Sequence, residues 1–147
     1  MSCIVAKDIM YPRVSLSAKT KGIDLVRKLM CPYPGVPVVN EKSAVIGIVS
    51  EYEILDAIRE NRTVNEFSAE SLMSCGHAEH GVCSTPVTVS PNTSIEDIAD
   101  LMYKRNISIL PVVENNVLVG LITRKSIINA MAEEGFWKEH EFKKRTP

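Results

Sequence analysis

The densest grouping of reactive side chains in this 147-residue chain is Cys75-Gly76-His77-Ala78-Glu79-His80-Gly81-Val82-Cys83, which holds two of the four cysteines and two of the three histidines. Thiolate sulfur and imidazole nitrogen together suit Zn²⁺, which takes four N/S ligands in a tetrahedron. Gly76 and Gly81 would let a short loop wrap an ion held by Cys75, His77, His80 and Cys83, with iron or copper as other occupants. The spacing C-x-H-x2-H-x2-C is no standard finger pattern. Three further readings stand beside the metal: a Cys75–Cys83 disulfide responsive to redox conditions, thiols packed against the rest of the chain, and a solvated loop. A second kind of chemistry belongs to Ser50 and Thr123, each of which closes an apolar run and opens a helical pattern. A helix start presents unpaired N–H groups and a positive dipole end, so an anion placed there gains several oriented donors, and the hydroxyl adds one more. Ser50-Glu51-Tyr52-Glu53 reads equally well as a capping box whose side chains only satisfy orphan N–H groups. No Ser/His/Asp order, Gly-rich phosphate loop or paired carboxylate motif stands out, so no reaction class is indicated.

The elements that must position these residues occur twice. Gly35-Val36-Pro37-Val38-Val39 leading to Val45-Ile46-Gly47-Ile48-Val49-Ser50 returns as Ile109-Leu110-Pro111-Val112-Val113 leading to Leu118-Val119-Gly120-Leu121-Ile122-Thr123. An internal repeat predicts two similar units facing one another across a pseudo-two-fold axis, with clefts between them. Half of 147 residues buries too little surface to stand alone, so the halves are expected to share a core.

Each copy reads as strand, helix, strand, strand, helix. Pro86 to Ser90 alternates as a short strand. Thr93, three residues before Glu96, starts a helix with Ile95, Ile98, Ala99 and Met102 on one face. The first copy has Ile23, Val26 and Met30 in that role and ends at Pro32. Asn40 to Ser43 and Glu114 to Asn116 join the strand pairs as hairpins. Ser50 and Thr123 then cap the last helices, which bury Ile54, Leu55 and Ile58, or Ile127, Ile128 and Met131.

Charge and composition exclude several classes. The formal charge is −1, with 17 basic and 18 acidic residues, so there is no global basic field for nucleic acid. No run approaches the ~20 apolar residues that span a bilayer, and the N-terminal residues lack a signal-peptide pattern. The expectation is a cytoplasmic protein that binds neither nucleic acid nor membrane.

Asp8-Ile9-Met10, the Pro-Val-Val strand, and the twice-repeated Gly-h-h-[Ser/Thr] running into a helix resemble the cystathionine-β-synthase (CBS) domain pair, or Bateman module. The resemblance covers about residues 5 to 133. It implies an α+β fold of two β-α-β-β-α CBS repeats about a pseudo-two-fold axis, forming one compact module. Residues 5–60 would be the first repeat, 61–72 a linker, 73–133 the second repeat with an inserted loop at 74–85, and 134–147 a C-terminal tail. It also implies a regulatory unit without catalysis, a homodimer, and an adenosine-containing ligand (AMP, ADP, ATP or S-adenosylmethionine) in the inter-repeat cleft, acting on an unknown regulated protein. In the resembled family the Ser/Thr touches phosphate and an Asp three residues later takes the ribose hydroxyls. Those Asp positions hold Glu53 and Ser126 here. The lining would include Ile107, Ser108, Ile109 and Pro111, with Arg105 or Arg124 near phosphates. The two prolines of Cys31-Pro32-Tyr33-Pro34-Gly35 favour the cleft of Thr123 over that of Ser50. Two other readings remain: a metal or redox sensor working through the Cys75–Cys83 loop, and a scaffold or dimerisation module with empty clefts. Phe136, Trp137 and Phe142 in the tail are expected to dock on the module or on a second subunit. Cys3 and Cys31 read as small buried or half-buried hydrophobes, and His140 as a surface residue.

Overall fold

The computed structural model describes residues 4–75 and 85–133. His77, His80 and Cys83, the tail aromatics, His140 and Cys3 lie outside them. The elements run α1 (Ala6–Ile9), β1 (Tyr11–Pro12), β2 (Leu16–Ser17), α2 (Gly22–Lys28), β3 (Gly35–Val39), β4 (Val45–Ser50), α3 (Glu51–Arg59), a 3₁₀ turn (Val64–Glu66), α4 (Ala69–Leu72), α5 (Ile95–Arg105), β5 (Ile109–Glu114), β6 (Val117–Thr123) and α6 (Arg124–Ala132). This is a mixed α+β fold in which the repeat seen in the sequence recurs as two three-stranded sheets, ordered β2-β3-β4 and β1-β6-β5.

Both hairpins form where turn chemistry places them. Asn115 and Asn116 take φ values of 52° and 65°, the left-handed pair that a two-residue turn needs to match strand twist. In the first copy Asn40 Oδ1 accepts from the N–H groups of Lys42 and Ala44, and Ser43 turns the chain at φ 63°. The strands then pair antiparallel, Pro37 opposite Ile48 and Pro111 opposite Leu121. The two capping helices start as expected, at Ser50 and Thr123. Leu55, Ile58 and Ile128, however, are exposed rather than buried. The start of α5 also differs. Ser94, not Thr93, is the cap, accepting from the Asp97 N–H at 3.1 Å, while the Thr93 hydroxyl accepts from the Ser90 N–H at 3.0 Å and closes the preceding turn. Ser and Thr compete for such local bonds, and the turn at Pro91-Asn92 decides which one faces the helix. Of Pro86 to Ser90 only Val89 pairs, by a single parallel bridge to Val112.

The two sheets exchange edges. β1 lies beside β6 of the other repeat, with Tyr11 opposite Leu121, and Ser74 forms the matching bridge to Ile48. Met10 and Met73 therefore sit over Gly120 and Gly47, where a Cβ on either glycine would run into the methionine side chain. Those glycines permit close approach, which is why no side chain stands there. The segment read as a linker at 61–72 holds the 3₁₀ turn and α4, with Phe67, Ala69 and Leu72 buried in the first core. α4 is the structural counterpart of α1. The Ala6 N–H donates to Thr93 O at 2.9 Å and the Ala69 N–H to Thr20 O at 2.8 Å, so each short helix is tied to the opposite half. Each repeat has its own core, around Leu25, Val36 and Val49 or around Ile98, Leu110 and Ile122. Ile48, Ile109, Leu118 and Leu121 form a shared cluster where the sheets meet.

Candidate functional site

The exchange of edges leaves a cleft of about 760 Å³ lined by residues from both halves of the chain: Tyr11, residues 31 to 34 and Glu51 from the first, and Ser108, Thr123, Arg124 and Lys125 from the second. Thr123 ends β6 because Ile109 to Val113 holds that strand in register, and its extended backbone (φ −122°, ψ 168°) hands the chain to α6. The Ser126 N–H donates to Thr123 Oγ1 at 3.1 Å, the Thr123 N–H donates to Ser126 Oγ at 2.8 Å, and Ser126 Oγ donates to Thr123 O at 2.7 Å. Both side chains belong to residues only 3% exposed, so they stiffen the helix start from below while the cleft above is open.

Arg124 is held at the rim. Its Nε donates to Ile107 O at 3.2 Å and its Nη2 to Asn106 Oδ1 at 2.9 Å. Asn106 caps α5 in the left-handed conformation (φ 52°), so the end of one helix fixes the first side chain of another. In the same lining Tyr11 and Tyr33 lie with ring centroids 5.2 Å apart and planes tilted 35°, and Asn129 Nδ2 donates to Tyr11 Oη at 3.0 Å. An aromatic pair beside two cations at a helix start provides a flat apolar surface and an anion-attracting edge. Cys31 is a free thiol, half-buried in the same wall.

Of the residues singled out from the sequence, Thr123, Ser108 and Arg124 line this cleft, with Ser126 beneath Thr123. Ile107, Ile109 and Pro111 are buried behind it. Arg105 is exposed on α5 and lines neither described cleft. Ser50 and Glu53 also line neither. Glu53, 6% exposed, accepts from the Ser50 N–H at 2.7 Å and from the Ser50 hydroxyl at 2.6 Å, the capping-box arrangement. A Cβ on Gly35 would lie 2.8 Å from Ser50 Cα, so β3 presses closely on that corner. A neighbouring groove of about 520 Å³, lined by Val26, Leu29, Met30, Ile54 and Leu55, shares Tyr33, Pro34 and Glu51 with the first cleft. Tyr11, Tyr33, Glu51 and Lys125 were not singled out from the sequence. The signal that would have found them is the pseudo-two-fold itself, which turns the loop of one repeat toward the helix start of the other.

Cys75 is buried and disulfide-bonded, so its sulfur is not a thiolate in this structure. Among the described residues no group of three or more His, Cys, Asp or Glu is placed to hold a metal ion. No helix among them is long and apolar enough to cross a membrane.

The CBS domain family matches residues 6–60 and 80–133, most of the chain. The chain belongs to the CBS domain family. The pair of repeats has the Bateman-module fold seen in solved relatives. A Vibrio cholerae protein provisionally named for acetoin utilization (AcuB) is 28% identical, with a TM-score of 0.74 over 95% of this chain and 99% of its own. CBSX2, solved in complex with AMP, is 24% identical, with a TM-score of 0.70 over 86% of this chain and 94% of its own. The CBS domain pair of protein MJ0100, in complex with 5′-methylthioadenosine and S-adenosylmethionine, is 22% identical, with a TM-score of 0.70 over 88% and 97%. Among curated relatives, the homoserine O-acetyltransferase of Methanococcoides burtonii is 29% identical over 123 residues, 82% of this chain but 22% of the enzyme. This chain thus spans about a fifth of that relative, and CBS pairs are generally regulatory rather than catalytic units.

Proposed function

We infer that this CBS pair is a non-catalytic, cytoplasmic sensor that binds an adenosine-containing ligand, AMP, ADP, ATP or S-adenosylmethionine, between its repeats. The observation that carries this reading is the cleft of about 760 Å³ that opens over the Thr123 helix start and takes its walls from both repeats. A ligand there touches both halves, so its binding energy bears on their relative placement. Relatives of the same fold solved with AMP or with S-adenosylmethionine support the ligand class.

The exposed apolar residues of the first repeat, Met30 at 80% just beyond α2 and Leu55 at 66% and Ile58 at 58% on α3, support a homodimer through this face. Because Tyr33, Pro34 and Glu51 line both the cleft and this groove, the dimer face is the route by which ligand occupancy would reach an as yet unidentified regulated protein. A native mass spectrum of the purified protein incubated with each ligand tests the reading. The expected result is a dimer carrying an adenylate-sized adduct. A bare protein at millimolar ligand overturns it.

The second reading, a metal or redox sensor in the Cys75–Cys83 loop, is favoured in its redox form by the disulfide at Cys75. Stoichiometric zinc in protein purified under reducing conditions, lost in a Cys75→Ser, Cys83→Ser variant, would turn that reading back to a metal site.

A further inference from the structure

We propose that the aromatic segment 136–142 of this same chain docks in the apolar groove between α2 and α3, so that the residues after α6 cover part of the first repeat. The groove has a volume of about 520 Å³, within the size of recesses that bury an organic group. Val26, Leu29 and Ile54 form its floor against the first core, Met30 and Leu55 stand exposed at its sides, and Tyr33 and Pro34 close the end that it shares with the inter-repeat cleft. An occupant that removes water from this surface is favoured by the apolar area it covers.

The sequence supplies that occupant. The chain has one tryptophan and three phenylalanines; Phe67 is buried in the first core, while Phe136, Trp137 and Phe142 all follow α6. Each such ring buries roughly 150–250 Å² when it docks, so rings of this kind are the strongest apolar anchors the chain has left. Reach is sufficient. α6 starts at Thr123 on the cleft that shares Tyr33, Pro34 and Glu51 with the groove, and its nine residues carry the chain only ~14 Å away. From Ala132 an extended chain reaches about 34 Å by Phe142, enough to return along α6 and cross to the groove. Charge agrees as well: among the described residues of the lining Glu51 is the charged one, and Lys143-Lys144-Arg145 come directly after Phe142. Ile23 and Ile58 are exposed on the same two helices but lie outside the groove, so a docked segment adds to the face that a partner subunit meets rather than replacing it. The docking is independent of which ligand the cleft takes.

Because Trp137 is the single tryptophan, its fluorescence in the full chain reads the docking directly. The expected result is a blue-shifted emission shielded from acrylamide and unchanged on dilution below the concentration at which the dimer dissociates. Met30→Glu and Leu55→Glu, exposed changes whose folding is checked by their thermal midpoints, should move that emission to longer wavelength and raise its quenching toward the value in denaturant. Phe142→Ser should shift it the same way, and Ile58→Glu, on α3 but outside the groove, should leave it in place. Water-like emission in the parent protein would overturn the proposal, as would a shielded emission that Met30→Glu and Leu55→Glu leave unchanged. An emission that moves to longer wavelength on dilution, or that responds to Ile58→Glu as strongly as to Met30→Glu, would assign the contact to a second copy and overturn docking within the chain.

Discussion

The helix starts at Ser50 and Thr123 occupy the same place in the two repeats, yet they are chemically opposite. At α3 the hydroxyl of Ser50 and the carboxylate of Glu53 satisfy each other and the backbone, and Glu51 adds a second negative charge to the positive helix end. That corner is electrostatically complete. At α6 the cap is made by two neutral hydroxyls, and the following residues are Arg124 and Lys125. Its helix end stays positive and faces a cleft. One repeat thus closes the motif with its own carboxylates, and the other leaves its helix start without an acidic residue in the first turn. The two corners share their backbone course while the side chains at three successive positions differ.

The comparison can be broken or sharpened in several ways. The largest effect should come from removing what the repeats share. Leu121→Ala, at a fully buried position in the cluster between the sheets, should cost ~2–5 kcal/mol in urea denaturation, and a loss under ~1 kcal/mol would mean that the halves are stabilised separately. Next comes the tight corner of the first repeat. Gly35→Ala places a methyl 2.8 Å from Ser50 Cα, a backbone atom that cannot swing away, and should destabilise by ~1–3 kcal/mol. A neutral outcome would show that the α3 corner has room, which would remove one reason for assigning the adenosyl ligand to α6.

The two caps themselves offer a smaller and more direct contrast. Ser50→Ala and Thr123→Ala should each lower stability by ~1 kcal/mol, but only Thr123→Ala should change the thermal response to AMP. Equal ligand effects from the two variants would erase the functional asymmetry. Exchanging side chains between corners, Arg124→Glu with Lys125→Tyr, should abolish binding of the proposed adenosyl ligand and lower stability by about 1 kcal/mol, because the bonds from Arg124 to Ile107 and Asn106 are lost. The smallest effect belongs to Asp56→Asn on α3. Its carboxylate raises the Arg59 pKa through a 2.6 Å hydrogen-bonded ion pair at the surface. A guanidinium raised above its ordinary value stays charged until well above neutral pH, so Arg59 should add no pH dependence between pH 5 and 9, and the variant should melt with the parent. A clear drop in its melting temperature would show that α3 has a structural demand on that face.

Much of the fold was legible because its signals are local. Asn115-Asn116 can take the left-handed turn, the apolar runs on either side must pair, and a hydroxyl after the second run must cap a helix; all of this follows from residues within about ten positions of one another. The short helix α4 was not legible. Ala69-Glu70-Ser71-Leu72 carries no apolar period, and it forms because the Ala69 and Glu70 N–H groups find acceptors at Thr20 and Ala18 in the other segment. The exposure of Leu55 and Ile58 escaped notice for a related reason: periodicity marks an apolar face but does not say whether the same chain covers it. In the candidate site, Thr123, Ser108 and Arg124 could be named from the repeated motif and the resemblance it carries. Tyr11, Tyr33 and Glu51 could not, since they reach the cleft only through the exchange of edges between the sheets.

The order of residues by itself determined that this protein has two equivalent halves, where their hairpins turn, which hydroxyls open their last helices, and that Glu53 and Ser126 differ where the repeats are otherwise alike. Each of these is a property of a short stretch and its own backbone geometry. Only the tertiary structure decided which loop faces which helix start. Met10 over Gly120 and Met73 over Gly47 lock the two halves crosswise, and that crossing brings Tyr33 and Glu51 of one repeat against Thr123 and Arg124 of the other. A cleft between units is set by their packing, and packing is a relation between residues that the chain itself keeps far apart.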